Sequence, residues 1–316
     1  AVLNSTYSTY ATKGNLNNHI GVPLSLLEIN DSHEFAIIEM GANHQQEISF
    51  LTSIAQPDYG LITNIGLAHL EGFGGAEGVY MGKKELFDHV SSKGRRFFFN
   101  TDDPKIMRFF NKELCAMSYG SSGDIQGEVV SAAPMLKVTV SDDIESMNID
   151  TNLTGAYNLP NILAAIAVGR YFDVQMEAAC RAIQDYTPSN HRSQVINGRN
   201  TIVVDAYNAN ISSMRAALHS FANNGLGEKM VILGAMKELG EQTRECHKEI
   251  VELCSELSLE AKFVGSEYLE FASKEHYFGT TEEVKEWIQK DPPSGRSILL
   301  KGSRSVGLEV LIPLLD

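Results

Sequence analysis

The sequence predicts an α/β protein of two domains, and three observations carry that prediction. Short apolar runs bounded by turn residues alternate with amphipathic helical stretches along most of the chain, the pattern of strands wound with helices. At 316 residues the chain exceeds what one hydrophobic core usually serves. A polar, turn-rich stretch, "DYTPSNHRSQVINGRN", interrupts the alternation and marks a boundary near Ser189, which divides the chain into residues 1–188 and 189–316.

In the first part, "FAIIEM" (Phe35 to Met40) and "YGLITNI" (Tyr59 to Ile65) flank the helical "QQEISFLTSIA", which reads as a βαβ unit with buried parallel strands. "RRFFFN" (Arg95 to Asn100), after a helical stretch around Lys83 to Val90, extends the same sheet. Between Ile125 and Asp150 the pattern turns to alternation, as in "LKVTVS", and predicts an antiparallel hairpin. "NLPNILAAIAVGRYF" reads as a helix with Asn158 near its cap and Pro160 in the first turn, where a missing N–H costs little. The second part reads strand "TIVVDA", helix from Ser212, strand "MVILGA", helix "RECHKEIVELCSEL", strand "AKFVG", helix "TEEVKEWIQK", strand "SILLKG" and a helix from Val306. That order predicts a doubly wound, Rossmann-like sheet.

Composition narrows the function classes. With 43% hydrophobic and 21% charged residues the chain is globular, and its net charge of -14 repels nucleic acid and anionic membrane. No run of 18 apolar residues and no secretory leader pattern is present, which fits a cytoplasmic protein without a membrane span. Cys115, Cys180, Cys246 and Cys254 form no CxxC pair and read as reduced, packed thiols.

Ligands of open α/β sheets bind beyond the carboxyl ends of the strands. There the sequence places Glu39, Gly41, Asn43 and His44 after one run, and Thr63, Asn64 and His69 after the next. Glu39 and His69 suit a hard divalent cation; the plainer alternative is a buried, hydrogen-bonded Glu and a capping His. "KGNLNNHIG" offers Lys13 for an anion and Asn15, Asn17 and Asn18 as hydrogen-bonding groups. "GVYMGKK" falls short of a phosphate-binding loop in spacing and lies in a helical pattern. "KGSRSVG" follows a strand, so its amides, Ser303 and Arg304 could hold a carboxylate or phosphate, or form a simple turn. Asp205 in "VVDAYNAN" could accept from a ribose hydroxyl beside Tyr207, with Asn208 and Asn210 near, or could cap a helix.

Together, "ATKGNLNNHIGVP", "EMGANHQQEI", "TNIGLAHLEGFG", "KKELF", "GAYNLPNILAA", "HRSQV", "DAYNANISSM", "LGAMKELGE" and "LKGSRSVGLE" resemble, in order, the segments of the Mur ligases. The likeness is strongest to the branch that adds D-Ala-D-Ala to UDP-MurNAc-tripeptide in peptidoglycan precursor synthesis. The resemblance implies an ATP-dependent amide ligase working through an acyl phosphate with Mg²⁺. It further implies a phosphate-loop-type central domain lacking its first strand and Walker A loop, and an absent UDP-binding domain, so that this chain alone is expected to be inactive and monomeric.

By the same resemblance Glu39 and His69 ligate Mg²⁺, and Lys83, rather than its neighbour Lys84, becomes carbamylated to supply a further oxygen ligand. Asn158 or Asn161 meets the adenine, Arg192 the γ-phosphate, and Asp205 and Tyr207 the ribose. Asn17, Asn18, His19, Asn43, His44 and Asn210 lie on the substrate side, and Ser303 and Arg304 hold the dipeptide or muropeptide. Two positions depart from the pattern: Ala235, where an acid is usual, and Ile211, where proline is common. The other readings are a non-catalytic binding module of this fold or another amide ligase of the Mur and folylpolyglutamate synthase group. A module without phosphoryl transfer has no need of Glu39, His69, Lys83 and Arg192 together, which favours the ligase.

Overall fold

The computed structural model describes every residue except 67–68, 133–134, 189–192, 224 and 226. The described residues form two compact units: 1–130 with 137–151 and 159–186, and 131–136 with 152–158 and 187–316.

In the first unit, β1 (Thr9–Ala11) pairs in parallel with β2 (Phe35–Ile37), Tyr10 opposite Ala36. A second parallel sheet has the order β3 (Tyr59–Leu61), β4 (Arg96–Asn100), β5 (Cys115–Tyr119), and a third joins β6 (Gln126–Ser131), β7 (Lys137–Ser141) and β8 (Ser146–Asp150), the last two as an antiparallel hairpin. The helices are α1 (Gly21–Leu27), α2 (Glu47–Ala55), α3 (Leu70–Phe73), α4 (Ala76–Ser92), α5 (Pro104–Met107), α6 (Leu159–Tyr171) and α7 (Met176–Asp185).

The expected βαβ unit is corrected here. Among the described residues no ladder joins β2 to β3, so the crossover through α2 does not bring them into one sheet, and Ala36 and Ile37 of β2 are exposed rather than buried. β1 was hidden inside a stretch whose polar residues read as a loop. The expected strand "RRFFFN" is β4, and its neighbour β3 carries Gly60 because a Cβ there would lie 2.5 Å from the Phe97 ring. Phe97, Phe98 and Phe99 are all buried, as in a strand covered on both faces. Phe97 and Phe99 lie in a core with Ile48, Leu51, Phe73, Phe87 and Val90.

The 17-residue α4 holds the "GVYMGKK" segment, so the sequence rightly denied it a phosphate-loop role. Its two internal glycines have a packing reason: a Cβ on Gly78 would meet the Phe73 carbonyl oxygen at 1.8 Å, and one on Gly82 the Phe73 ring at 2.4 Å. Close approach offsets the roughly 1 kcal/mol that each glycine costs a helix. Farther along α4, the Glu85 carboxylate accepts from the Gln46 amide (2.6 Å) and the Ser49 amide (2.8 Å), satisfying two orphan donors at the start of α2.

The second unit is one six-stranded sheet: β9 (Gln194–Asn197), β10 (Thr201–Asp205), β11 (Lys229–Gly234), β12 (Glu260–Val264), β13 (Tyr277–Phe278) and β14 (Ser297–Lys301), in the order β13-β12-β11-β14-β10-β9. All neighbours are parallel except β9 with β10. The helices are α8 (Ile211–Ala222), α9 (Thr243–Glu256), α10 (Thr281–Lys290) and α11 (Ile312–Leu315). β9 falls within the polar stretch taken for a linker, since its short run "QVIN" is framed by turn residues. The helix expected from Val306 is two 3-10 turns, Arg304–Val306 and Leu308–Leu311, before α11, because Gly307 at φ +72° interrupts it. The chain passes β14 between β11 and β10, which makes the carboxyl end of β14 the switch point of this sheet.

Cys180, Cys246 and Cys254 are buried, Cys115 is half-buried, and all four are free thiols. No described helix is long and apolar enough to cross a membrane. Replacing Glu85 by Ala is expected to lower stability by about 1–2 kcal/mol, since it strips a charged acceptor from two helix-start amides. A urea titration by circular dichroism measures it.

Candidate active site

In the first unit the polar residues gather around the end of the β2 run. Asn17 turns its Nδ2 to Glu39 Oε1 (2.8 Å) while its carbonyl accepts from the Gly41 amide (2.8 Å), so the loop after β1 is tied to the segment after β2. Gly41 must be glycine, because a Cβ there would press on the Asn17 amide at 2.9 Å. The Glu39 amide donates to Thr12 Oγ1 (2.9 Å). Asn18 Oδ1 accepts from the Ile20 and Gly21 amides at 3.0 and 2.9 Å and so opens α1; His19 beside it is exposed. Lys13, read as an anion site, is paired with Glu28.

Asn43 and His44 form the next turn. Both of their amides donate to Glu47 Oε2 (2.7 and 3.2 Å), and the His44 ring lies 3.2 Å from Glu47 Oε1. Partial burial pulls the Glu47 carboxyl upward, but these bonds outweigh it and hold the group below its usual range. A Cβ on Gly72 would meet the Asn43 carbonyl oxygen at 2.3 Å, so α3 seats directly on this turn.

His69 has φ +54° and immediately precedes α3, its carbonyl accepting from the Phe73 amide (3.1 Å). Phe73, locked on Gly78 and Gly82, then fixes how α4 follows α3, which sets the relation of His69 to Lys83. The two adjacent lysines of α4 part ways. Lys84, also half-buried, pairs with Asp88 one turn on. Lys83 is half-buried; burial lowers its amine below the ordinary lysine range, and the Glu39 carboxylate nearby pulls the other way.

Among the described residues no three of His, Cys, Asp and Glu gather into a cation cage.

In the second unit the strand ends of β10, β11 and β14 carry the candidates. Asp205 and Lys301 are the last residues of β10 and β14 and stand in register. Lys301 is 1% exposed and its Nζ lies 2.5 Å from Asp205 Oδ2. Asp205 is therefore an ion-pair member and not a cap; the cap of α8 is Asn210, whose Oδ1 accepts from the Ser213 amide (2.9 Å) while Ser213 Oγ accepts from the Asn210 amide (3.1 Å). The Asn208 side chain accepts from the Ala209 amide. The Arg304 guanidinium lies 5.6 Å from the centre of the Tyr207 ring.

Ser303 is buried and its Oγ accepts from the Lys237 amide (3.0 Å), which leaves its hydroxyl proton to be donated. The same turn after β11 is held from α9, where the fully buried His247 accepts the Met236 amide on Nε2 (3.0 Å) and has Nδ1 2.6 Å from the Thr243 carbonyl, which fixes the Nδ1–H tautomer. Ala235, at the position where an acid was expected, is fully buried, and a Cβ added at Gly265 would come within 2.8 Å of it.

Asn158 is buried with its Nδ2 committed to the Thr154 carbonyl (2.8 Å) and Ser193 Oγ (3.3 Å). Asn161 is exposed in the first turn of α6. Tyr157 bonds Ser193 Oγ at 3.0 Å; burial, with the Asp205 charge, pushes its hydroxyl up to about 12. Arg192 lies outside the described residues, as does the boundary residue Ser189.

Residues 1–169 match the Mur ligase middle domain, and residues 191–304 match the Mur ligase glutamate ligase domain. The chain belongs to the Mur ligase family. It is 30% identical over 325 residues, 99% of this chain and 71% of the relative, to the UDP-N-acetylmuramoyl-tripeptide–D-alanyl-D-alanine ligase of Bacillus subtilis. It is 32% identical to that of Treponema pallidum, over 100% of this chain and 70% of the relative. A crystal structure of MurF from Acinetobacter baumannii superposes with a TM-score of 0.86 at 30% identity, covering 99% of this chain and 72% of that one. The MurF ligase of Thermotoga maritima, solved with ADP, shares the fold at a TM-score of 0.86 and 24% identity.

The sequence did not single out Glu85, Lys301, Tyr157 or His247. Lys301 had a signal, since it closes the apolar run "SILLK" at a strand end, where ligands of open α/β sheets bind; His247 had none within the polar pattern of α9.

Burial lowers the His247 imidazole below its ordinary value. A histidine whose folded pKa lies under its unfolded value gives full stability above the unfolded value of about 6.5 and loses it as pH falls below. Stability is thus expected to decline on acidification beneath that point, less so in His247→Gln, with urea midpoints across pH as the measurement. Equal slopes for both proteins would contradict the assignment.

Proposed function

We propose that this chain supplies the ATP-handling and acceptor-handling parts of a UDP-MurNAc-tripeptide–D-alanyl-D-alanine ligase, a cytoplasmic, monomeric enzyme of peptidoglycan precursor synthesis. The observation that carries the reading is the half-buried Lys83 with its lowered amine beside Glu39. Burial favours the uncharged form of this amine, the form that can add carbon dioxide and become a carbamate, while Glu39 draws the other way. The match to relatives named for this reaction over nearly the whole chain supports the same reading against a non-catalytic module.

Joining a carboxylate to an amine in water runs uphill, so the carboxylate must first be activated by the γ-phosphoryl of ATP. Glu39, His69 and carbamylated Lys83 would hold Mg²⁺, which supplies charge stabilisation where phosphate oxygens crowd together. Asn17 orients Glu39 by occupying one of its oxygens. Of the two asparagines considered for the adenine, Asn161 is the better placed, since the Asn158 amide is spent inside the protein. Asp205 would accept from the ribose with Tyr207 beside it, and Arg192 would meet the γ-phosphate as a permanently charged fork.

Ser303, with its proton available, and Arg304 would bind a peptide carboxylate. Asn18, Asn43 and Asn210 are committed through their side chains or amides to turns and caps, so their part is to shape the substrate-side loops that also carry His19 and His44.

The test is ATP-dependent phosphate release by the full-length protein with UDP-MurNAc-tripeptide and D-Ala-D-Ala. Lys83→Ala is expected to lower the rate by about a hundredfold or more, as loss of a charge-stabilising metal ligand should, and added short carboxylic acids should restore part of it. Wild-type release that needs neither acceptor nor tripeptide, or a Lys83→Ala rate equal to wild type, would sink the proposal.

A further inference from the structure

Lys301 is the least expected residue of the second unit. Its strand neighbours Ile298, Leu299 and Leu300 are buried and apolar, and Lys301 is itself 1% exposed, yet it carries an ammonium. Among the described residues its one polar partner is Asp205 Oδ2. Burying an ion pair in a strand rarely adds stability over a well-packed apolar side chain, so packing alone gives no reason for this lysine. Its effect falls on Asp205: the ammonium occupies Oδ2 and offsets the carboxylate's charge, while Oδ1 has no hydrogen-bond partner among the described residues and the side chain retains 16% exposure.

We propose that Lys301 is a positioning residue for nucleotide recognition: it fixes and neutralises Asp205 so that Oδ1 alone is presented to the sugar hydroxyls of a nucleoside triphosphate. The inference rests on the reading of Asp205 as the ribose acceptor. An unpaired carboxylate at that strand end would swing among rotamers and repel a polyanionic ligand. Paired, it keeps acceptor strength for a hydroxyl without presenting net charge to the phosphates. The strand register makes this rigid, because Asp205 and Lys301 stand side by side on hydrogen-bonded β10 and β14. Tyr157, whose hydroxyl feels the Asp205 charge, adds a neutral neighbour on another segment.

The experiment compares KM and kcat for ATP, 2′-deoxy-ATP and 3′-deoxy-ATP in the full-length protein as wild type, Asp205→Asn, Lys301→Met and the double variant. Lys301→Met is expected to raise KM for ATP about tenfold or more, the worth of a charge-assisted bond, with kcat little changed. It should also lose discrimination against whichever deoxy nucleotide Asp205→Asn ceases to reject, and the double variant should match Asp205→Asn alone. Lys301→Leu, which likewise removes the donor, is read in the same way should the Met variant not fold. Unchanged KM and unchanged ribose discrimination in a folded Lys301 variant would overturn the positioning role while leaving Asp205 as the acceptor. Unchanged ribose discrimination in Asp205→Asn would overturn both, and would place the failure in the reading of Asp205.

Discussion

The seating of Phe73 on Gly78 and Gly82 is the contact on which the first unit's chemistry depends. His69 lies just before α3 and Lys83 within α4, so whatever fixes one helix against the other fixes those two side chains. A phenylalanine packed where no Cβ fits leaves little freedom for sliding. Glu85 adds a second tie from the same helix to the start of α2, and Gly72 a third through the Asn43 turn. The result is a half-buried lysine whose burial works against the charged amine while the Glu39 carboxylate works for it.

The second unit works by a different device. Parallel strands bring their terminal residues into register, and the sheet's switch point gathers the turns after β10, β11 and β14. Gly302 is part of this: a Cβ there would come within 2.8 Å of the Gly234 Cα, so the turns after β14 and β11 approach backbone to backbone. The Ser303 hydroxyl and the buried His247 then lock the β11 turn without using any group that faces solvent.

Much of this was legible in the sequence, and the failures have physical causes. The second unit's strands were plain because parallel strands buried on both faces read as unbroken apolar runs. β1 and β9 were missed because three- and four-residue strands beside polar turns carry too little periodicity to register. β2 and β3 were assigned to one sheet because local pattern reports a strand but not its neighbour. Residue types at strand ends singled out Glu39, His69, Asp205 and Ser303 as candidates without any fold knowledge. Lys83 came only through family resemblance, and what separates it from Lys84 in the structure is that Lys84 is spent on Asp88 while burial lowers the Lys83 amine. Lys301 and Glu85 were unread because their partners, Asp205 and the α2 amides, are 96 and 36 to 39 residues away in the chain.

The most direct measurement is carbon-13 NMR of the full-length protein equilibrated with labelled bicarbonate, for wild type and Lys83→Arg. A carbamate resonance in the wild type that strengthens as pH rises and the amine deprotonates, and that is missing from Lys83→Arg, is what the account predicts. A wild-type spectrum without a carbamate, or a carbamate that survives in Lys83→Arg, would contradict it.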